Sequence, residues 1–351
     1  MTTTTSHASP PAASGSNQPL LEVEDLRVTF GGRKGPQFTA VDGISFSVAP
    51  GQTVGLVGES GCGKSVTSLA IMNLLPGRGN KVTGSVRFDG KELLTLGDAA
   101  MRDLRGADLA MIFQDPLSSL NPVVPLGVQV SEVLQRHRRM KKPAANKRSE
   151  ELLGKVGIPD PTRRLNEYPH QLSGGMRQRA LIAMALACEP RMLIADEPTT
   201  ALDVTIQAQI LALLKELVEE SGTALMMITH DLGVVAGLCD EVNVLYGGRI
   251  VERAARHELF ATPRHPYTGG LLASIPRLDL PRGGRLNPVK GSVADNIPWD
   301  EGCAFAPRCN SVIDVCTQKS PDLAPDEATS DRLLRCHNPL TTDASDSTQE
   351  A

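Results

Sequence analysis

The octapeptide "GESGCGKS" at positions 58–65 is the feature that most limits how this chain folds. Its three glycines allow the backbone to bend sharply with several N–H groups pointing inward. The apolar segment "QTVGLVG" comes just before it, and "KSVTSLAIMNLL" follows with the apolar spacing of a helix. A strand, a glycine-rich loop and a helix in this order predict an α/β fold in which the loop and the helix N-terminus bind phosphate groups.

The residues that end the loop indicate that the ligand is a nucleoside triphosphate with a metal ion. Lys64 supplies a positive charge suited to the β and γ phosphates, and Ser65 supplies a hydroxyl oxygen for Mg²⁺. Further strands alternate with helices along the chain, which predicts a mainly parallel sheet with helices on its faces.

Polar residues follow three other apolar strands. Asp196 and Glu197 come after "RMLIA", and the carboxyl ends of parallel strands face the ligand crevice. We therefore expect Asp196 to reach Mg²⁺ and Glu197 to polarise a water molecule against the γ-phosphate. His230 follows "ALMMIT", where a structural and a γ-phosphate role both remain open. Gln114 ends "LAMIFQ", and its amide can bind metal or water.

A second glycine-rich helix start occurs in "HQLSGGMRQRALIAMALACEP". Ser173 is suited to cap the helix, and Gly174 and Gly175 allow close approach of another backbone. This helix start is also a candidate anion site. Because one nucleotide does not need two such sites from one chain, we expect the second to serve a nucleotide held by another subunit.

The motifs "GESGCGKS", "LSGGM" and "LIADEP", with Gln114 and His230, resemble in order and spacing the ATP-binding cassette (ABC) ATPase family over about residues 20–260. The resemblance implies a P-loop (RecA-like) nucleotide-binding domain with antiparallel β and helical subdomains, the helical one at about 115–175. It also implies a sandwich dimer that closes on ATP and opens after hydrolysis.

The resemblance also assigns roles to single residues. Phe30 matches the aromatic residue that stacks on adenine, Asp203 a dimer contact, and Ser173–Gly175 the signature that acts on the partner's nucleotide. The catalytic set is Glu197, His230 and Gln114, and the Mg²⁺ set is Ser65, Gln114 and Asp196. The remaining nucleotide-binding positions are Gly58, Glu59, Ser60, Gly61, Cys62, Gly63, Lys64, Ser65 and Val66. The chain has Val66 at a position where many members of the family have a residue with a hydroxyl group.

Composition changes past residue 260, where proline, glycine and cysteine become frequent. We expect a small C-terminal domain over 261–337 that contains Cys303, Cys309, Cys316 and Cys336. So few apolar residues surround these cysteines that a bound metal is expected to stabilise the segment. Four thiolates suit Zn²⁺ or a [4Fe–4S] cluster, and the residues alone do not choose. Resemblance to peptide-permease ATPases with such an end favours the cluster.

Two further stretches, "FQDPLSSLNPVVPLGVQVSEVL" and "HELFATPRHPYTGGLLASIPRLD", resemble the D-type ATPases of oligopeptide and dipeptide permeases. That resemblance implies a second, related ABC ATPase as a heterodimer partner, two transmembrane permease subunits and an external substrate-binding protein. A nickel or other small-solute importer remains open. A soluble non-transport ABC ATPase is an alternative that the single compact cassette disfavours, and a metal or redox sensor is another that the full hydrolytic set disfavours.

Net charge and hydropathy limit the partners and the location expected of the chain. The net charge of −4 argues against a nucleic-acid partner. No apolar run approaches the length of about 20 residues that a membrane-spanning helix needs. The N-terminus also lacks the apolar core of a signal peptide, so we expect the chain to stay in the cytoplasm. Its resemblance to peptide-permease ATPases implies a peripheral position on the cytoplasmic side of the inner membrane. The polar ends, 1–19 and 338–351, read as disordered tails.

Overall fold

The computed structural model describes residues 18–31, 37–76, 79–200, 202–275, 289–293, 301–327 and 329–341. Most of the two predicted tails, 1–17 and 342–351, lies outside the described residues. The strands are, in chain order, β1 (Leu21–Phe30), β2 (Phe38–Val48), β3 (Thr53–Val57), β4 (Asn80–Phe88), β5 (Lys91–Glu92), β6 (Leu109–Ile112), β7 (Met192–Asp196), β8 (Ala224–Thr229), β9 (Glu241–Tyr246), β10 (Arg249–Ala255), β11 (Ala324–Asp326) and β12 (Thr329–Leu334).

Helices connect most of these strands. They are α1 (Lys64–Ile71), α2 (Asp98–Leu104), α3 (Pro116–Ser119), α4 (Leu126–Arg138), α5 (Lys142–Lys155), α6 (Pro161–Arg164), α7 (Gly174–Leu186), α8 (Val204–Ser221), α9 (Leu232–Leu238), α10 (Arg256–Ala261), α11 (Pro266–Ala273) and α12 (Asp314–Gln318), with short 3₁₀ turns at Pro169–Gln171 and Ala306–Arg308. In the described part of the chain, no helix is long and apolar enough to cross a bilayer.

The larger sheet has eight strands in the order β11-β12-β10-β9-β3-β8-β7-β6. The strands from β9 to β6 pair in parallel, whereas β10, β11 and β12 pair antiparallel. Every residue of β7 and β8 is buried, as expected for parallel strands covered on both faces. The predicted mainly parallel α/β fold is confirmed.

Two apolar cores lie on the two faces of this sheet, and β7 contributes to both. Leu193 and Ala195 belong to the core that includes α4, α5, α7 and α8. Met192 and Ile194 belong to the other core, with α1 and the strands of the second sheet. This alternation follows from the two-residue period of a strand.

The second sheet is antiparallel, with four strands in the order β2-β1-β4-β5. Its β1 and β2 precede the glycine-rich loop in the chain. Phe30 pairs with Phe38 at the end of the β1–β2 ladder, so both aromatic residues lie at one corner of the sheet. That corner lies beside the phosphate-binding loop, as described below.

A helical segment separates β6 from β7. It runs from α3 through α7, which begins at Gly174, and α4 packs mainly against α5 and α7. The charged stretch of residues 136–148 covers the end of α4 and the start of α5. There Arg136 forms an ion pair with Asp103 while both side chains stay largely exposed. This segment corresponds to the helical subdomain expected at about 115–175.

The structure does not support the separate small domain that the sequence suggested past residue 260. Strand β12 of this part of the chain pairs with β10, so the C-terminal region extends the larger sheet. Arg332 forms an ion pair with Glu252 of β10, and both side chains are buried. Leu340, placed by sequence in the C-terminal tail, donates its N–H to the Arg264 carbonyl at 2.8 Å. The composition change at 260 could not show this distant strand pairing.

Candidate functional site

The glycine loop between β3 and α1 is braced by main chain. Gly63 has φ of 99°, and a Cβ there would lie 2.4 Å from the Ala40 carbonyl oxygen. Gly248, in the turn after β9, approaches the same carbonyl so closely that a Cβ would lie 2.7 Å away. At Gly58 an added Cβ would lie 2.3 Å from the Leu245 carbonyl oxygen. The loop therefore requires glycine at these positions because neighbouring backbone leaves no room.

Lys64 lies at the centre of the loop. It is only 5% exposed, and its Nζ donates to the carbonyls of Gly58 at 2.7 Å and Glu59 at 3.0 Å. The ammonium is thus held inside the curve of the loop, where a phosphate oxygen can accept from it. Cys62 is fully buried, and burial raises the pKa of its thiol. This cysteine is therefore a small packed side chain within the loop.

The end of β7 places the acid Asp196 beside the N-terminal part of α1. The Ser65 hydroxyl donates to Asp196 Oδ1 at 3.0 Å, and the Ser68 hydroxyl lies 3.4 Å from Asp196 Oδ2. Burial raises the pKa of the Asp196 carboxyl, although the bond from Ser65 opposes that effect. A divalent cation would compensate the cost of burying this carboxylate. Hydroxyl and carboxylate oxygens are ligands that suit Mg²⁺.

Glu197 is the hub of a polar cluster. It receives hydrogen bonds from Gln114 Nε2 at 2.9 Å and Thr200 Oγ1 at 2.8 Å on Oε2, while His230 Nδ1 lies 3.3 Å from Oε1. Burial raises the pKa of Glu197, but the bonds from Thr200 and His230 outweigh it, so the pKa is lowered overall. The carboxylate is therefore ionised at neutral pH and able to accept a proton. Its φ of 46° is unusual for a residue with a side chain.

These residues surround one open cleft of about 360 Å³. The paired aromatic residues Phe30 and Phe38 line it, as do the hydrogen-bonded residues Gln114 and Glu197. The remaining lining residues belong mainly to the glycine loop and the start of α1: Ala40, Ser60, Gly61, Gly63, Lys64, Ser65 and Val66. A second cleft of about 620 Å³ adjoins it at Ser60, Gln114 and Glu197, and includes Thr200, His230 and residues 291–293.

The second glycine segment lies apart from both clefts. The Ser173 hydroxyl caps α7 by accepting from the Met176 N–H at 3.3 Å. An added Cβ at Gly175 would lie 2.9 Å from Ile206 of α8, and Asp203 caps α8 by accepting from the Ile206 N–H at 3.0 Å. Among the residues that line the two clefts, none belongs to 173–175. These residues are therefore not placed to act on a nucleotide in this chain's own cleft.

The four late cysteines share one neighbourhood without forming a ligand set. Burial and the nearby thiols of Cys303, Cys309 and Cys316 raise the pKa of Cys336 to about 12. Burial likewise raises the pKa of Cys303 and Cys309. Within the described ranges, no group of three or more His, Cys, Asp or Glu side chains is placed to hold a metal ion. The structure thus does not support the [4Fe–4S] or Zn²⁺ site expected there.

Sequence reasoning missed several residues around the cleft. Phe38 pairs with Phe30 and also lines the cleft, and Thr200 bonds to Glu197. Thr200 could have been predicted, because its hydroxyl follows Glu197 by three residues. Phe38 could not, because only the register of β1 and β2 places it beside Phe30. Tyr267 and Arg308, which contact Glu59 of the glycine loop, come from the C-terminal region and had no local signal.

Comparisons with known proteins agree with this geometry. A family model described as "ABC transporter" matches residues 41–200, and one described as "Oligopeptide/dipeptide transporter, C-terminal region" matches 251–316. The chain is 53% identical over 303 residues to the dipeptide transport ATP-binding protein DppD of Bacillus subtilis, covering 86% of this chain and 90% of that one. It is 46% identical over 333 residues to the oligopeptide transport ATP-binding protein OppD of Escherichia coli, covering 95% and 97%.

Among solved structures, the chain is similar to a dimeric, post-hydrolysis state of the ATP-binding cassette MJ0796 bound to ADP and Pi. The TM-score is 0.60 at 29% identity, covering 67% of this chain and 98% of that one. The P-loop cassette fold expected from the sequence is thereby confirmed. With relatives of this identity along most of its length, the chain belongs to the ATP-binding proteins of ABC transporters, in the group that carries the oligopeptide/dipeptide transporter C-terminal region.

Proposed function

We propose that this protein is the ATP-hydrolysing subunit of an ABC importer that drives uptake of dipeptides or oligopeptides through separate membrane permeases. The observation that carries the proposal is the cleft in which Lys64, the Ser65–Asp196 pair and the Glu197 cluster meet. This is the set of groups that phosphoryl transfer to water requires.

The cleft suggests a position for each part of the nucleotide. Phosphates bind at the loop N–H groups and Lys64, and the adenine ring stacks at the aromatic pair formed by Phe30 and Phe38. Ser65, Asp196 and Gln114 are the residues that would hold Mg²⁺, which supplies charge neutralisation at the β and γ phosphates. Val66 also lines the cleft, so its apolar side chain replaces a hydroxyl at that wall.

Glu197 is the proposed general base. Its ionised carboxylate orients a water molecule and accepts its proton while the water oxygen bonds to the γ-phosphorus and ADP leaves. Gln114, Thr200 and His230 fix the carboxylate through the three contacts described above. His230 also lines the second cleft, on the side where the γ-phosphate would lie, which favours a contact with that phosphate.

Residues 173–175 are proposed to act in trans. Because they line neither cleft of their own chain, the helix start at Ser173 is available to the γ-phosphate of a nucleotide in a second ATPase subunit. Asp203 lies exposed at the N-terminus of α8, the helix whose Ile206 lies beside Gly175, and would contact that subunit. The similar MJ0796 cassette is described as dimeric in its post-hydrolysis state, which supports a dimer.

The transport partners follow from the relatives. Their names are those of dipeptide and oligopeptide transport ATP-binding proteins, and the C-terminal match is to the same class. We infer a heterodimer with a second ABC ATPase, two permease subunits, an external substrate-binding protein, and a peripheral position at the cytoplasmic side of the inner membrane. Nickel or another small solute is the second candidate cargo.

Reconstitution tests the cargo directly. In liposomes that contain the permeases and the second ATPase, with the binding protein on one side of the membrane, we expect short peptides to stimulate ATP hydrolysis. The peptides should accumulate on the side of the membrane opposite the binding protein. The control is the same assembly with Lys64→Ala, in which the loop loses the charge that holds the phosphates. Stimulation by Ni²⁺ but not by peptides would contradict the peptide assignment and favour the second candidate.

A metal at Cys303, Cys309, Cys316 and Cys336 stays a prediction from the sequence alone. Anaerobically purified protein should contain about four iron atoms and as many sulfides per chain if the cluster forms there. Cys316→Ser should remove this iron, whereas Cys188→Ser, a control in a buried cysteine elsewhere, should retain it. Zinc in place of iron would select the alternative metal, and a metal-free protein would contradict both.

A further inference from the structure

Arg308, in the C-terminal region, makes a two-pronged ion pair with the phosphate loop. Its Nη1 lies 2.6 Å from Glu59 Oε2 and its Nη2 lies 2.9 Å from Glu59 Oε1. The Arg308 side chain is only 3% exposed. Charge-assisted bonds of this bidentate form are strong and fix direction as well as distance. Two residues far apart in the chain thus connect the C-terminal region to the proposed ATP site.

The same guanidinium holds one wall of the site. Its Nε donates to the Lys290 carbonyl at 2.7 Å, and its Nη2 lies 3.0 Å from the Gly291 carbonyl oxygen. Residues 291–293 line the second cleft together with Glu197 and His230. Arg308 therefore joins the phosphate loop to a wall of the cleft that the proposed base also lines.

Aromatic residues fix the position of Arg308. The guanidinium carbon lies 5.6 Å from the ring centroid of Tyr246 and 6.0 Å from that of Phe305, within the range of cation–π contacts. A third aromatic residue, Tyr267, accepts a hydrogen bond from the Glu59 N–H at 2.9 Å. The C-terminal region thus contacts both the backbone and the carboxylate of Glu59.

Charge explains why such a contact matters for a nucleotide. Glu59 carries a carboxylate within the loop that would receive the triphosphate, and its side chain is 28% exposed. A negative charge there opposes the approach of the phosphates, and low dielectric makes that opposition stronger than in water. The guanidinium neutralises the carboxylate through the two-pronged ion pair.

We propose that Arg308 is a positioning residue for ATP binding, which holds Glu59 neutralised and the loop in shape from the C-terminal region. The inference rests on the proposed ATPase function and extends it, because it makes the region after residue 260 part of the nucleotide site.

The test is a double-mutant cycle on the full-length chain with ATP and Mg²⁺ as the probe. Arg308→Gln should weaken ATP binding about tenfold, equivalent to about 1.4 kcal/mol, because the Glu59 charge is left unpaired in the loop. Adding Glu59→Gln to that variant should restore most of the lost affinity, since the repulsive charge is gone. In the assembled transporter the loss in Arg308→Gln should appear in KM for ATP, with kcat much less affected.

A matched control separates this role from simple support of the fold. Arg264 also makes a two-pronged pair within the C-terminal region, with Asp326, and is largely buried, but it does not contact the loop. Arg264→Gln should lower the Tm and leave ATP affinity unchanged. If Arg308→Gln does not fold, Arg308→Lys, which keeps the charge and loses the two-pronged geometry, should bind ATP more weakly than wild type and more tightly than any neutral variant that folds.

Three results would overturn the inference: unchanged ATP affinity in the Arg308 variants, an equal loss in Arg264→Gln, or no recovery when Glu59→Gln is added. Each is read from ATP binding. Failure of the proposed transport function would appear instead as absent hydrolysis or absent peptide uptake by the wild-type assembly, so the two failures are distinguishable.

Discussion

Glu197→Gln should bind ATP as wild type does and lose ATP hydrolysis by a factor of about 10²–10⁴. The glutamine keeps the size of the side chain and one acceptor oxygen for the bonds from Thr200 and Gln114, so the cluster should persist. An amide cannot take the proton of the attacking water. Because nucleotide would not be consumed, the variant should also accumulate as a closed dimer with its partner ATPase in ATP and Mg²⁺. Phosphate release and light scattering measure the two effects.

Ser173→Arg in the Glu197→Gln background is the matched control for the dimer. A long cation at the start of α7 should block association in trans while leaving ATP binding unchanged, because Ser173 lines neither cleft of its own chain. Brisk turnover by Glu197→Gln would remove the base assignment. Closed dimers that form equally well with Ser173→Arg would remove the trans role of residues 173–175.

Arg332→Ala should lower the free energy of unfolding by about 3–5 kcal/mol, because it leaves a buried carboxylate without its cation. Arg332 Nη1 lies 3.2 Å from Glu252 Oε1, and the side chains are 1% and 0% exposed. Glu252 would keep its bonds from the backbone N–H groups of Arg264 and His265. Urea unfolding followed by circular dichroism measures the loss.

The pH dependence of this variant gives an independent check. Burial already raises the pKa of the Glu252 carboxyl in the wild type, and removal of Arg332 raises it further. When the pKa of a carboxyl is higher in the folded than in the unfolded state, the folded protein loses stability as the pH rises from the unfolded-state pKa to the folded-state pKa. Arg332→Ala should therefore regain stability as the pH is lowered towards the ordinary pKa of a glutamate.

An exposed pair serves as the control. Arg136 pairs with Asp103, and their side chains are 58% and 69% exposed. Arg136→Ala should cost no more than about 1 kcal/mol, since solvent screens such pairs. Equal losses for Arg136→Ala and Arg332→Ala would mean that the buried pair does not anchor β12 to β10.

The proposed nucleotide site could be predicted from the sequence because its signals are local. The spacing of Gly58, Gly61 and Gly63 is fixed by the bend of one loop, and the acids Asp196 and Glu197 follow directly on an apolar strand. Parallel pairing of β3, β7 and β8 then brings their carboxyl ends together. Nothing beyond strand polarity was needed to place the acids beside the loop.

The C-terminal region could not be read in the same way. Its pairing of β12 with β10 joins residues about eighty positions apart, and short strands in a proline-rich stretch carry little periodicity. The cysteine spacing drew attention to a metal, whereas the contacts that reach the site come from Arg308 and Tyr267, which stand in no motif. Long-range contacts of this kind are invisible to pattern reasoning on one sequence.

The Ala40 carbonyl, enclosed by Gly63 and Gly248, has a consequence for motion. The Asp42 N–H donates to the Gly248 carbonyl at 2.8 Å, and the Gly248 N–H donates to the Cys62 carbonyl at 3.0 Å. Three segments distant in sequence are thereby fastened together through peptide groups alone. We expect β2, the glycine-rich loop and the β9–β10 turn to move as one rigid body during the ATP hydrolysis cycle. Hinges for any domain motion are then expected outside these three segments.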